Sequence, residues 1–236
     1  MQERFQRVQK IIASTGLCSR RNAEIMIKQG RVKINGKTAR LGDKASDIDK
    51  ITIDNKPLRK RQDYVYIALY KPKGVLCTTY DEKKRRTVID LIKNKVRQRV
   101  YPVGRLDFDS EGLVILTNDG EFANNLIHPR YEKEKEYIVV LDKPITEKGI
   151  NLINNGVRWD KRIVRAKAKA VNAEKTIIKI IVFEGRKHII KNIFRKLHYK
   201  VKDLKRTRIG NISLGNLKPA EFIFFKKEGE DGRKDN

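Results

Sequence analysis

Leu113-Val114-Ile115-Leu116 is an unbroken apolar run with turn chemistry on both sides, and it constrains this chain more than any other stretch. Such a run, bounded by turns, fits a short strand buried on both faces in the interior of a sheet. Before it stands Gly104-Arg105-Leu106-Asp107-Phe108-Asp109-Ser110-Glu111-Gly112, and after it the polar turn Asn118-Asp119-Gly120. Four ionisable side chains, Arg105, Asp107, Asp109 and Glu111, crowd into seven residues of the leading turn. A turn rooted on a core strand is held rigidly, which suits a group that must do chemistry. An aspartate beside an arginine there is kept charged and oriented, as a nucleophile or base requires. The same residues also suit a structural turn, because Asp bonds its own backbone and Arg–Asp neighbours form structural ion pairs.

Charge narrows the partner. Lys and Arg total 55 against 29 Asp and Glu in 236 residues, a net +26, which points to a polyanion. A membrane surface fits less well, since no long amphipathic helix sets this charge against a broad apolar face. No run approaches the apolar length of a membrane span, and the N-terminal stretch lacks a signal peptide's apolar core. Cys18 and Cys77, the two cysteines, are far apart in sequence and fit a reducing compartment. His128, His188 and His198 lack ligand spacing, so no metal is expected. The expected location is the cytoplasm.

The first sixty residues read as a small module. Residues 4 to 15 carry Phe5, Val8, Ile12 and Thr15 on one helical face, and Gly16 ends that helix. Ser19 stands as an N-cap before a second helix closed by Gly30. Arg31-Val32-Lys33-Ile34 alternates like a half-buried strand, Asn35-Gly36 is a hairpin turn, and Ile51-Thr52-Ile53 is a further strand. Fifteen Lys/Arg less six Asp/Glu over residues 1–60 leave +9. Arg20 and Arg21 lie at a helix N-terminus, where backbone amides can also receive phosphate. Pro57 to Asp63 reads as a linker.

From Tyr64 the composition turns strand-like. Tyr64 to Tyr70 and Val75 to Thr79 are expected strands around Lys71-Pro72-Lys73-Gly74. The charged residues Asp81 to Arg86 read as a surface loop, and Thr87 to Lys93 as a short helix. Glu121 to Ile127 is a helix, Lys135 to Leu141 a strand, and Thr146 to Asn155 an amphipathic helix. Strands follow over 163–171 and 176–183, and Trp159 reads as a packing aromatic. Past Glu184-Gly185-Arg186-Lys187-His188, a helix places Ile189, Ile190, Ile193, Phe194 and Leu197 inward. Lys187, Lys191 and Arg195 form a separate basic ridge on it. Arg186 to Arg208 hold ten Lys/Arg and one acid, again +9. Glu221 to Phe225 is a last strand, and residues 227–236 are expected to be a disordered tail.

Gly-Arg-Leu-Asp-x-x-Ser-Glu-Gly-Leu, followed by Leu-Thr-Asn-Asp-Gly, resembles the catalytic motif of RsuA-type ribosomal RNA pseudouridine synthases. Residues 9–36 resemble an S4 RNA-binding domain over nearly its full length. The resemblance spans residues 4 to 225 and implies an α+β architecture. A small S4-like αα-hairpin module (1–60) would precede a catalytic domain (61–226) with a mixed, mainly antiparallel sheet flanked by helices. It implies uridine-to-pseudouridine isomerisation in ribosomal RNA or a pre-ribosomal particle, by a monomer, with no cofactor and no membrane partner. Asp107 would be the essential carboxylate. Tyr137 would pack on the target base, Lys191 would pair with Asp107, and Arg105 would fill the place left by the flipped nucleotide. Where the family commonly has Gln and Arg, this chain has Ile189 and Lys191; lysine keeps the charge and loses the bidentate fork.

Ser19, Arg20, Arg21, Lys28, Arg31 and Lys33 would form the RNA-docking surface of the module. Lys71, Lys73, Arg186, Lys187, Arg195, Arg206 and Arg208 would contact RNA from the larger domain. Arg40-Leu41-Gly42-Asp43 inclines the reading slightly toward the large-subunit branch. Two rival readings are a non-catalytic ribosome-assembly factor that keeps the fold, and a metal-dependent nuclease using Asp107, Asp109 and Glu111.

Overall fold

A computed structural model describes residues 5–59, 62–159, 162–186 and 188–227. The chain divides into two compact units, Met1–Tyr64 with Arg97–Arg99, and Val65–Val96 with Val100–Asn236. Lys187 and residues 228–236, including nearly all of the expected tail, lie outside the described residues.

In the smaller unit, β1 (Gln6–Arg7) pairs with β4 (Lys44–Ala45), so the first helix, α1 (Val8–Ser14), begins later than its apolar spacing predicts. The edge pairing takes Gln6 and Arg7 out of the helix. Ser19 caps α2 (Arg20–Lys28) as its sequence position predicts, its hydroxyl accepting from the Asn22 amide at 3.1 Å. A second small sheet runs β3 (Lys37–Thr38), β2 (Val32–Ile34), β5 (Ile51–Ile53), β6 (Lys56–Pro57). Asn35 and Gly36 join β2 to β3 with φ of 49° and 83°, the left-handed pair that a tight hairpin needs. Val8, Ile12, Ala23, Ile27, Val32 and Ile51 close the core.

The larger unit is built on one mixed sheet. Its main path runs β13 (Ala166–Ala170), β14 (Ile177–Val182), β10 (Lys135–Leu141), β15 (Val201–Ile209), β9 (Glu111–Thr117), β7 (Tyr66–Lys71), β17 (Phe222–Phe224). β8 (Tyr101–Val103) pairs with β9, and β16 (Ile212–Ser213) with β15. Among the described strands of this sheet, β15–β9 is the parallel pair and the others are antiparallel. β11 (Val157–Trp159) and β12 (Arg162–Val164) form a separate ribbon.

The apolar run of β9 is buried on both faces, as its composition predicts. Val114 and Leu116 enter one core with Ile150 and Ile153 of α4 (Glu147–Asn154) and Ile189, Ile190, Ile193 and Phe194 of α5 (Ile189–Lys196). Leu113 and Ile115 enter a second core with Phe122, Ala123 and Leu126 of α3 (Gly120–Ile127). The period-two alternation of a strand thus feeds two helical layers. Trp159 packs against the first core.

Two expected elements are absent. Val75 to Thr79 is no strand; only Leu76 bridges to Thr87. Its backbone bonds across the loop, the Leu76 amide to the Arg86 carbonyl and the Val88 amide to the Leu76 carbonyl, and builds no ladder. Thr87 to Lys93 forms overlapping turns in place of a helix. The Asp90 carboxylate accepts from the amide and the hydroxyl of Thr87 at 2.9 Å, as at a helix start, but the amides that follow bond mostly three residues back (Asp90 to Thr87, Ile92 to Ile89, Lys95 to Ile92), so the segment stays a series of turns.

Candidate active site

The charged turn, residues 104–110, joins antiparallel β8 to β9, so both of its ends are set by a ladder. Leu106, 8% exposed, anchors its middle in the first core. The Ser110 amide donates to the Asp107 carbonyl at 3.2 Å. The Gly74 amide donates to the Phe108 carbonyl at 2.8 Å, and the Cys77 thiol to the Gly104 carbonyl at 3.6 Å. Burial pushes the Cys77 thiol up, so it is a neutral brace.

Gly112 is required by the fold. Its φ is +110°, and a Cβ there would lie 2.3 Å from the Arg206 carbonyl oxygen, because β15 runs parallel past it. That close approach brings β15 and the preceding α5 up to the turn. Arg206, 2% exposed, then donates from Nε to the Leu113 carbonyl at 2.8 Å and from a terminal nitrogen to the Arg105 carbonyl at 3.4 Å.

Asp107 opens into a cleft of about 640 Å³ lined by Arg105, Phe108, Asp109, His188, Lys191, Tyr80 and others. One carboxylate oxygen lies 3.3 Å from His188 Nε2 and the other 3.6 Å from Lys191 Nζ. Lys191 makes its close contacts elsewhere, at 2.6 and 2.7 Å to the two oxygens of Asp109. The hydrogen bond from Lys191 holds the Asp109 carboxyl below its ordinary value, against some desolvation. The expected Lys191–Asp107 pair is therefore a shared arrangement, with Asp109 the nearer partner. A lysine ammonium is a compact point charge that can sit between two carboxylates.

Sequence reasoning counted Asp109 among the turn's charges without giving it a partner, and passed over His188 for want of ligand spacing. His188 precedes α5 as its N-cap with a left-handed φ of 55°, a placement that helical spacing in the sequence does not specify. Glu111 turns away, accepting from the Tyr70 hydroxyl at 2.9 Å.

Arg105 is exposed at the cleft. Tyr137 lies on β10 opposite Arg206, which is itself opposite Gly112, and is 6% exposed with its ring in the first core. Lys71 and Arg206 do not match their expected RNA contacts, since neither reaches a surface where phosphate could meet it. Lys71 is fully buried, and its ammonium donates to the Pro72 and Val75 carbonyls, each at 2.9 Å. Burial pulls its pKa down to about 8.

The other basic residues vary. Lys73 is exposed and ion-paired with Asp203 at 2.8 Å, a bond that raises its pKa. Arg186 pairs with Glu184 at 2.6 Å, and Arg208 with Glu134 at 2.9 Å. Arg195 lies over the Trp159 ring, 5.6 Å from its centre. In the smaller unit Arg20, Arg21 and Lys28 are exposed, Arg31 makes a two-toothed bond to Asp54 at 2.9 and 2.6 Å, and Lys33 donates to Asn55.

Comparison with known proteins agrees with this architecture. The family model for RNA pseudouridylate synthase matches residues 65–196, and that for the S4 domain matches residues 6–51. Ribosomal large subunit pseudouridine synthase B of Bacillus subtilis is 39% identical over 219 residues, covering 90% of this chain and 89% of its own. The dual-specificity RNA pseudouridine synthase RluF of Escherichia coli is 37% identical over 218 residues, covering 92% and 74%. A crystal structure of a pseudouridylate synthase superposes with a TM-score of 0.67 at 29% identity, over 93% of this chain and 96% of that one. A sheet of this topology, a charged turn seated on its central strand and relatives of this extent place the chain in one family: it belongs to the RNA pseudouridine synthases, in the RsuA-type branch that carries an S4 domain.

Proposed function

We propose that this protein isomerises uridine to pseudouridine in ribosomal RNA, with large-subunit RNA the favoured substrate and Asp107 the reacting carboxylate. One observation carries the reading: the Asp107 side chain opens into a cleft between His188 and Lys191, on a turn braced from three directions. The name of the Bacillus subtilis relative supports the large-subunit assignment.

The reaction breaks the bond from ribose C1′ to uracil N1 and forms one from C1′ to C5. C5 loses a proton and N1 gains one, so atoms and electrons balance with no co-reactant. Asp107 acts at the ribose, either as a nucleophile at C1′ or as a base on a ribose hydrogen. Either way the carboxylate is returned at the end, as in glycosyl transfer through carboxylates. Lys191, held by Asp109, keeps positive charge beside it. Exposed Arg105 enters the space left by the extruded nucleotide. Extrusion costs a few kcal/mol, which contacts between basic side chains and phosphates offset. The smaller unit supplies part of that basic surface through Arg20, Arg21 and Lys28, with Ser19, Arg31 and Lys33 beside them.

The test is Asp107→Asn. It should leave RNA affinity within about threefold while removing the pseudouridine detected by carbodiimide mapping of ribosomal RNA. A wild-type protein that binds ribosomal RNA but forms no pseudouridine on any transcript or pre-ribosomal particle would favour the assembly-factor reading instead.

A further inference from the structure

Two aromatic rings stand half or more exposed at the mouth of the Asp107 cleft. Phe108, next in the chain to Asp107, is 50% exposed, and Tyr80 is 75% exposed. Both line the cleft. Among the described residues neither ring enters an aromatic pair or lies under a cation. Their backbones are nonetheless pinned. The Phe108 carbonyl accepts from the Gly74 amide at 2.8 Å, and the Thr78 hydroxyl meets the Tyr80 carbonyl at 3.0 Å and its amide at 3.4 Å. These are rings displayed on fixed supports. Exposed apolar surface beside a reacting group marks a contact that a ligand completes.

We propose that Phe108 and Tyr80 form a stacking platform for the nucleobases on either side of the extruded uridine. The assignment rests on the function proposed above. Flipping one nucleotide out of a stack uncovers a face on each of its two neighbours. A flat apolar ring recovers that face, and stacking a base on an aromatic side chain is comparable in size to the cost of unstacking one. Position selects the neighbours over the uracil itself. With Asp107 at the ribose, the adjoining side chain lies one residue, about 3.8 Å of backbone, further along. The half to three-quarters exposure of the two rings puts them at the rim. Arg105, His188 and Lys191 line the same cleft, giving the mix of rings and cations typical of single-strand binding.

Full-length protein and a hairpin RNA with 2-aminopurine on either side of its loop uridine test this directly, because stacking quenches that base whether or not turnover occurs. Wild-type protein should quench it. Phe108→Ala and Tyr80→Ala should each lose quenching at one flank and raise KM for ribosomal RNA about tenfold, with the loss falling on KM more than kcat. Phe108→Trp should restore both readouts and Phe108→Leu neither, since only the former keeps a π face. Unchanged quenching in both alanine variants would overturn the platform. So would equal rescue by Leu and Trp, or quenching confined to 2-aminopurine placed at the target position. If no RNA is isomerised, the proposed function fails, while the fluorescence still decides the stacking on its own.

Discussion

Replacing Lys71 with methionine separates two consequences of burying an ammonium under the charged turn. The side chain is 0% exposed, and burial lowers its pKa from 10.5 to about 8. At 1.36 kcal/mol per pH unit, that fall amounts to about 3 kcal/mol against the charged form in the folded protein. Methionine relieves this cost but strips the Pro72 and Val75 carbonyls of their donor, at about 1–3 kcal/mol each. At pH 7 the two effects largely oppose, and Lys71→Met should lose between about 0 and 3 kcal/mol. The pH dependence is sharper. Between pH 8 and 10.5 the folded wild type has released the proton that its unfolded chain still binds. Wild-type stability, measured against the variant, therefore rises with pH over that window. The neutral amine keeps both hydrogen bonds, so by pH 10 the gap should be wider by about 2–3 kcal/mol. Urea unfolding of both proteins at pH 7 and pH 10 measures this. A gap equal at the two pH values would refute the account of Lys71 as a desolvated cation.

Gly112→Ala combines a strained positive φ with a backbone overlap at 2.3 Å, and should cost about 2–6 kcal/mol. Thermal unfolding would show it, and a variant melting within about 2 °C of wild type would contradict the tight β9–β15 approach. Arg20→Ala with Arg21→Ala should flatten the salt dependence of ribosomal RNA binding by about 1–2 in the logarithmic slope. An unchanged slope would remove the proposed role of those side chains.

Local chemistry explains what could be read from the chain alone. The β9 core strand, the Asn35-Gly36 hairpin, the Ser19 cap and the inward face of α5 each depend on residues within a turn or two of one another. Propensity, capping and periodicity act at that range. The same range explains the failures. Past Thr87 the backbone closes tight three-residue turns despite a helix-type cap, and Gln6-Arg7 is drawn into pairing with a strand almost forty positions on.

The sequence by itself determined the α+β class, the identity of the charged turn and its place beside a buried strand. Only the tertiary structure decided which charges face the cleft. Lys191 reaches Asp109 across 82 positions, and Arg206 reaches the Leu113 carbonyl across 93. Composition counts every lysine and arginine alike, whereas the parallel approach of β15 to β9 puts Lys191 beside Asp107 and seals Arg206 behind the same turn, while the fold around β7 buries Lys71 completely. Burial and ion pairing depend on distance in space, and for this site that distance is set by strands remote in the chain.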